Sequence, residues 1–452
     1  MLEFCSLGGA GTVTGSKHVL AHQGRRLMVD CGLFQGLKNL REQNWEALPI
    51  EVNSIDAVVL THAHLDHSGY LPRLVKDGFK GPVYMTDATY DVSELILKDS
   101  GFLQEKDAEY ANRHGFSKHS PALPLYTVQD VERALARFKV TPWHTETALP
   151  GGATLTYRRA GHILGAATAQ IDWQGKRVVF SGDLGRYGDA MMHDPEPVAD
   201  ADYVVIESTY GNRVHEDADP AEFLGDIIER TAQRGGTVVI PAFAVGRVQA
   251  LLYYLWSLRQ AGRLKNVPIY VDSPMATDAT KLLCRFHEDH KLSEQACRDV
   301  CSVATYTTSV EDSKALSANP YPKVIISASG MATGGRVLHH LVAFAQDHKN
   351  TVLFSGYQAA GTRGRTMLQG GKEIRIFGHW MPVRAEVAEL SMLSAHADAN
   401  GLMRWLGGFT REPRQVFIVH GEPEASEALR VRIGRELGWN AVVPRQGQNF
   451  TL

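Results

Sequence analysis

The chain alternates short apolar runs with abrupt polar endings. RRLMVDCG runs apolar up to Asp30, IDAVVLTHAHLDH up to a cluster that begins at His62, and KRVVFSGDLG up to Asp183. YVVIESTYG reaches Glu207 and RQVFIVHGE reaches His420 in the same way. Runs this short and this rich in Val and Ile predict buried strands. Each strand then delivers a histidine or a carboxylate at or just past its C-terminal end, where rigid strands present reactive groups on loops. From about Gly211 to Gly378 the pattern becomes strand, loop of small residues, amphipathic helix. GTVVIPAF leads into AVGRVQALLYYLWSL, VPIYVDS into PMATDATKLLCRF, KVIISAS into GMATGGRVLHHLVAF, and TVLFSGY into QAAGTRGRTMLQG. Such alternation predicts a parallel α/β sheet covered by helices. Ligand-type residues lie on both sides of it, so it reads as a second domain inserted into the first. The expected divisions are 1–209, 210–380 and 381–452.

Composition narrows the class without naming a function. A chain of 452 residues is long enough for two or three cores. With 44% hydrophobic and 21% charged residues it reads as soluble and globular. A formal net charge of −3 lacks the overall basic character of a non-specific nucleic-acid binder. A polyanion would therefore have to be held by metals and a local groove. The longest apolar stretches, such as Ala250 to Trp256, are too short to span a bilayer, so no membrane partner is expected. The opening MLEFCSLGGAG has neither the basic nor the apolar region of a secretory signal. Cys5, Cys31, Cys284, Cys297 and Cys301 are odd in number and form no CxxC pair. A reducing, cytoplasmic setting is the expectation, and the oligomeric state is not readable.

The candidate chemistry is metal binding. His62, His64, Asp66 and His67 put four potential ligands into six residues. His62 and His64 are two apart, so an extended strand end points both to one side. Asp66 and His67 follow where the chain turns into a helix expected near Ser68. Imidazole and carboxylate together suit zinc, at ligand distances of roughly 2.0–2.2 Å. His162, between glycines in AGHILG, would alone more often be a structural residue. Asp183 can bridge two metals or cap a helix. Asp30 can orient a ligand histidine or simply form a turn. A second candidate site is the loop from Ser327 to Arg336, which joins a strand to a helix. There Ser329, Gly330, Gly334 and Gly335 would expose backbone amides to a phosphate. It lacks the Gly-Lys-Ser/Thr ending of a Walker A loop, and a tight turn is an equal reading. Arg247, Arg336, Arg363 and Arg365 lie at similar loop–helix junctions, either lining a phosphate groove or as surface charges.

Taken together, these motifs resemble the metallo-β-lactamase superfamily, specifically its β-CASP branch of nucleic-acid-processing nucleases. The resemblance runs from Asp30 to His420 and implies an αββα sandwich with an inserted α/β domain. Asp30 matches the first motif, His62-Ala63-His64-Leu65-Asp66-His67 the second, His162 the third and Asp183 the fourth. Carried over, one zinc takes His62, His64, His162 and Asp183. The other takes Asp66, His67, His420 and the bridging Asp183. Glu207, His396 and His420 match the branch's motifs A, B and C. A histidine at motif C resembles the RNA-processing members, similar to the cleavage-and-polyadenylation endonuclease subunit and its bacterial relatives.

The resemblance implies a two-zinc ribonuclease acting on single-stranded RNA through activated water, with His396 as general acid and Glu207 orienting it. An ending at Leu452, soon after motif C, makes a processive 5′-exonuclease the less expected activity. Two alternatives stay open. One is a thioester or lactone hydrolase with the same metal chemistry, which the inserted domain and the Glu207/His396 pair disfavour. The other is a non-catalytic RNA-binding subunit, which the complete ligand set disfavours.

Overall fold

The computed structural model describes residues 1–452 apart from 116, 118, 217 and 357. Contacts divide the chain into two compact units, Met1–Val214 with His396–Leu452, and His215–Ala395.

Among the described residues the first unit holds two seven-stranded sheets. One contains Glu3–Gly8, Lys17–His22, Arg25–Val29, Ile55–Val59 and Val83–Met85 among its strands; the other contains Thr154–Arg159, Ala167–Trp173, Lys176–Phe180, Tyr203–Glu207 and Gln415–Val419. The period of two along each strand decides which side goes where. Val29, Ala57 and Val59 of the first sheet share a buried core with Tyr157, Ile171, Val205 and Phe417 of the second. Met28 and Val58, one residue out of phase, pack instead with Leu71, Leu74, Leu97 and Val131 from covering helices. Phe4 and Phe417 meet across the inner core at 4.6 Å between ring centroids. Such a pair adds about 0.5–1.5 kcal/mol beyond area burial. The helix Pro423–Glu436 buries Leu429 and Ile433, and its Ser426 hydroxyl lies 2.8 Å from that of Ser208. The result is the αββα sandwich that the motifs imply.

Three parallel pairings locate the site. Val29 lies opposite Val59, Phe180 opposite Val205, and Glu207 opposite Val419. Parallel neighbours end on the same side of a sheet, so the residues that follow them emerge together, as in other open α/β sheets. Asp30, Thr61, His62, Asp183 and His420 all sit on these exits.

The second unit has a six-stranded sheet with every pair parallel, among the described residues. Val238, Ile240, Val324 and Ile326 face one helical layer with Leu251, Leu255 and Ile227. Val239, Ile325 and Val352 face the other, with Val337, Leu341 and Met367. A parallel sheet covered on both faces explains why these strands read as unbroken apolar runs.

Two details differ from expectation. Within GMATGGRVLHHLVAF only Val337–Phe344 is helical, because Ser329 Oγ accepts the Thr333 and Gly334 amides at 3.0 and 3.4 Å and holds the preceding loop closed. The chain also stays in the second unit to Ala395 rather than 380, because Glu386–Glu389 adds a parallel strand beside Thr351–Phe354.

Candidate metal centre

Five histidines and Asp66 arrive from separate exits and meet around Asp183. Its Oδ2 lies 3.4 Å from His62 Nε2 and 3.7 Å from His162 Nε2. Its Oδ1 lies 3.3 Å from His67 Nε2 and 3.7 Å from His420 Nε2. His64 Nδ1 stands 3.2 Å from both His62 Nε2 and His162 Nε2, and Asp66 Oδ2 is 3.8 Å from His420 Nε2. Two groups therefore share one carboxylate: His62, His64, His162 and Asp183 on one side, and Asp66, His67 and His420 on the other. Asp66 and His67 sit inside a single helical turn, Leu65–Ser68, slightly earlier than the helix expected near Ser68.

The surrounding hydrogen bonds fix which ring nitrogen each histidine offers. A carboxylate only accepts, so His67 carries its proton on Nδ1, which donates to Asp30 Oδ2 at 2.8 Å. Thr61 donates its hydroxyl to Asp30 Oδ2 and its amide to Asp30 Oδ1. That leaves Thr61 Oγ1 to accept from His62 Nδ1 at 3.1 Å. Both Nε2 atoms thus face Asp183, at 3.4 Å from His62 and 3.3 Å from His67. His67 Nε2 and Asp183 Oδ1 are buried and make no hydrogen bond. Buried polar atoms without partners are costly, and a cation held between them would satisfy both. The donor set, imidazole nitrogen and carboxylate oxygen, fits a divalent metal of the zinc type.

Charge agrees with that fit. Burial raises the Asp183 carboxyl, but the surrounding imidazoles, when charged, outweigh burial and hold it well below the usual carboxylate range. Burial pushes His62 well below the ordinary histidine value and brings His420 down to about 3. Both are therefore neutral ligands at physiological pH. Burial also lifts Asp66 to about 6, a cost that a bound cation would offset.

The ligand-orienting Asp30, at φ 59°, and the ligand His420, at φ 48°, carry left-handed backbone. Gly161 (φ 73°) has no room for a side chain: a Cβ there would lie 2.3 Å from His193 O, so glycine lets the chain deliver His162.

Beside the centre, His396 Nδ1 donates to Glu207 Oε1 at 3.2 Å and lies 3.9 Å from Asp183 Oδ2. Glu207 is itself placed by Leu184 N–H, at 2.7 Å from the same oxygen, and by its own amide donating to Ser181 Oγ. His396 keeps 17% of its side chain exposed, against 1% for Glu207, so the imidazole faces the open side of the pair. Burial opposes its charged form, but Glu207, Asp183 and then Asp66 outweigh burial and raise its pKa.

Sequence reasoning missed several positioning residues. Ser16 Oγ lies 2.9 Å from His420 Nδ1, and its amide donates to Asp66 O. Lys17 is buried beneath the Phe34 and Tyr70 rings and donates to Gly32 O at 2.5 Å, tying the Ser16 loop to the Asp30 loop. The only advance signal was the glycine-rich stretch GGAGTVTGSK. Of the expected phosphate contacts, Arg336 spends its guanidinium on Asp272 Oδ1, Thr307 O and Thr308 O. The amides of Ala332, Thr333, Gly334 and Val337 bond within the Ser329 loop or to Ala328. Arg247 is buried at the start of its helix. In the structure Arg336 and the amides of the Ser329 loop are engaged within the second unit's own loops and helix start.

Asp30→Asn gives a direct check on histidine orientation. It turns one of the two acceptor oxygens that Thr61 and His67 use into an NH2 donor and removes the charge while keeping size, and is expected to weaken metal affinity about 10–100-fold. Competition against a metal chelator measures this; unchanged affinity would show that Asp30 does not orient His67.

A sandwich whose strand exits converge on a shared carboxylate and surrounding imidazoles defines a metal-dependent hydrolase. Residues 12–220 match the model of the metallo-beta-lactamase superfamily, 248–367 the Beta-Casp domain, and 380–444 the Zn-dependent metallo-hydrolase RNA specificity domain. Ribonuclease TTHA0252 of Thermus thermophilus is 38% identical, over 95% of each chain. Transcription termination factor FttA of Methanosarcina mazei is 32% identical, over 96% of this chain and 69% of its own. An RNase J-like protein of Methanocaldococcus jannaschii is 28% identical, over 97% of each. A crystal structure of a protein of unknown function from Enterococcus faecalis V583 matches over 100% of both chains with a TM-score of 0.56 at 13% identity, which bears on the fold alone. The chain belongs to the metallo-β-lactamase superfamily, in its β-CASP family of RNA nucleases.

Proposed function

We propose that the protein is a two-zinc ribonuclease that cleaves single-stranded RNA endonucleolytically in RNA processing or decay. The observation that carries this reading is Asp183, which presents one oxygen to each of two ligand groups. The relatives named as ribonuclease and RNase J-like support RNA as the substrate. His62, His64, His162 and Asp183 would hold one ion, and Asp66, His67, His420 and Asp183 the other. Bound there, the ions supply positive charge for the phosphoryl oxygens and for activation of water.

The chain's own residues do the rest. Asp30, Thr61 and Ser16 keep the imidazoles in the ligating tautomer and orientation. Water attacks phosphorus, and the bond to the ribose 3′ oxygen breaks. With Nδ1 committed to Glu207, His396 donates from Nε2 to that departing oxygen. The phosphate stays on the 5′ side of the downstream fragment, and the upstream fragment keeps a 3′-hydroxyl.

End-labelled RNA, single-stranded DNA and a thioester incubated side by side with zinc-loaded protein test the reading. Internal RNA fragments bearing 5′-phosphates are expected. Mononucleotides released only from one end would replace the endonuclease reading by an exonuclease, and thioester turnover without RNA cleavage would overturn the ribonuclease reading.

A further inference from the structure

The second unit gathers three of the chain's five cysteines at one place. Cys284 lies at the end of the helix Pro274–Arg285, and Cys297 and Cys301 lie on the helix Glu294–Cys301. Spacing of four residues on a helix puts the last two on one face, one turn apart. Cys284 Sγ is 2.7 Å from Cys297 Sγ and 3.3 Å from Cys301 Sγ, and all three sulfurs lie within 4.8 Å of one another. Cys297 is buried, while Cys284 and Cys301 keep partial access to solvent.

A neighbouring histidine is set to support negative charge on this cluster. His290 is buried on the segment between the two helices. Its Nδ1 accepts the Leu292 amide at 3.2 Å, which places the ring proton on Nε2. That Nε2–H lies 2.9 Å from Leu283 O, and the imidazole also hydrogen-bonds Cys297, pulling its thiol down.

Thiols are weak donors and weak acceptors, so three of them gain little from one another. Without a cation Cys284 and Cys297 stay protonated: burial pushes Cys284 up to about 11, and the Cys301 hydrogen bond, then burial, pushes Cys297 up to about 12. A thiophilic cation reverses this by taking the thiolates as ligands and releasing the protons.

We propose that Cys284, Cys297 and Cys301 form a three-thiolate site for one Zn2+ ion, beside the buried His290 imidazole. Zinc–sulfur bonds of about 2.3 Å set tetrahedral sulfurs about 3.8 Å apart. Filling the site therefore parts the sulfurs by roughly an ångström, within reach of side-chain rotation. A small ligand from solvent completes four-coordination through the accessible side of Cys284 and Cys301. The ion would tie the end of one helix to the next, across the turn His287–Asp289.

The ligand chemistry differs from that of the histidine–carboxylate centre, so the two can be told apart spectroscopically. Full-length protein, stripped of metal under reducing conditions, is titrated with Co2+. Thiolate-to-cobalt charge-transfer absorption in the near ultraviolet is expected in the wild type and lost in the Cys297→Ser/Cys301→Ser variant. A wild type without that band, or a band unchanged in the variant, overturns the site.

A second measurement uses the wild type alone, in case the variant fails to fold. Site-resolved alkylation is compared with and without zinc. At zinc 100-fold above the dissociation constant, modification of Cys284 and Cys301 is expected to slow about 100-fold, with Cys5 unaffected. Equal rates overturn the proposal. So does a Cys284–Cys297 disulfide that persists in protein kept reduced throughout.

Discussion

Asp183→Ala is expected to empty both halves of the centre and to remove nearly all turnover. Its two oxygens are divided between the groups, Oδ2 toward His62 and His162, Oδ1 toward His67 and His420. No other carboxylate in the cluster reaches both. The substitution also leaves five imidazoles facing one another without the carboxylate at their centre. Loss of metal charge at a phosphoryl centre is worth several kcal/mol, so turnover should fall by about 10³–10⁵. Asp66→Ala is the contrast, because Asp66 approaches only the His67/His420 side; it should retain one ion of the two. Elemental analysis of both variants, with rates on labelled RNA, gives the test. An Asp183→Ala protein that keeps two ions would remove the bridging role.

Much of this centre was legible in the sequence because strand ends are legible. A Val- and Ile-rich run that breaks at Asp30, His62, Asp183 or His420 reveals where rigid backbone stops. Parallel pairing then places those ends on one side. What the pattern could not carry was the support around them. A serine that meets a histidine Nδ1 from 404 residues away, as Ser16 meets His420, leaves no periodicity and no spacing. Arg336 illustrates the converse: its position after a glycine-rich loop suggested phosphate, but its partner Asp272 lies 64 residues upstream. The later return to the first unit was hidden for a similar reason. EVAE is too short and too polar to read as a strand until its parallel partner is known. The cysteine cluster was hidden by its Cx3C spacing, which pairs thiols only if the segment is helical.

Backbone strain explains why the orienting residues must be held so firmly. Asp30 and His420 occupy the left-handed region, which costs a non-glycine residue about 1–3 kcal/mol. Each is pinned by a backbone bond across strands or loops, Asp30 N–H to Val59 O and His420 N–H to Gly9 O. The turn re-aims a side chain that would otherwise continue the strand's alternation and sends it into the centre. Glycine at either position would relieve the backbone and lose the ligand or its orienter.

His396→Ala is expected to leave the metal content unchanged and to lower turnover by about 10²–10⁴, the range for losing a general acid. The prediction separates His396 from the five histidines of the two ligand groups. Its Nδ1 is committed to Glu207, whereas those of His67, His62 and His420 meet Asp30, Thr61 and Ser16, and that of His64 faces the cluster. Glu207→Gln should fall in the same direction by less, since the amide can still accept from His396 Nδ1–H but no longer favours the imidazolium by charge. KM should change little in either variant, because proton donation to a departing oxygen acts in the transition state alone. The decisive control is the leaving group. With a substrate whose departing oxygen is a good leaving group, such as a nitrophenolate ester of the phosphodiester, the His396→Ala defect should shrink toward nothing. A defect of equal size on both substrates would assign His396 to holding the centre together rather than to protonating the 3′ oxygen.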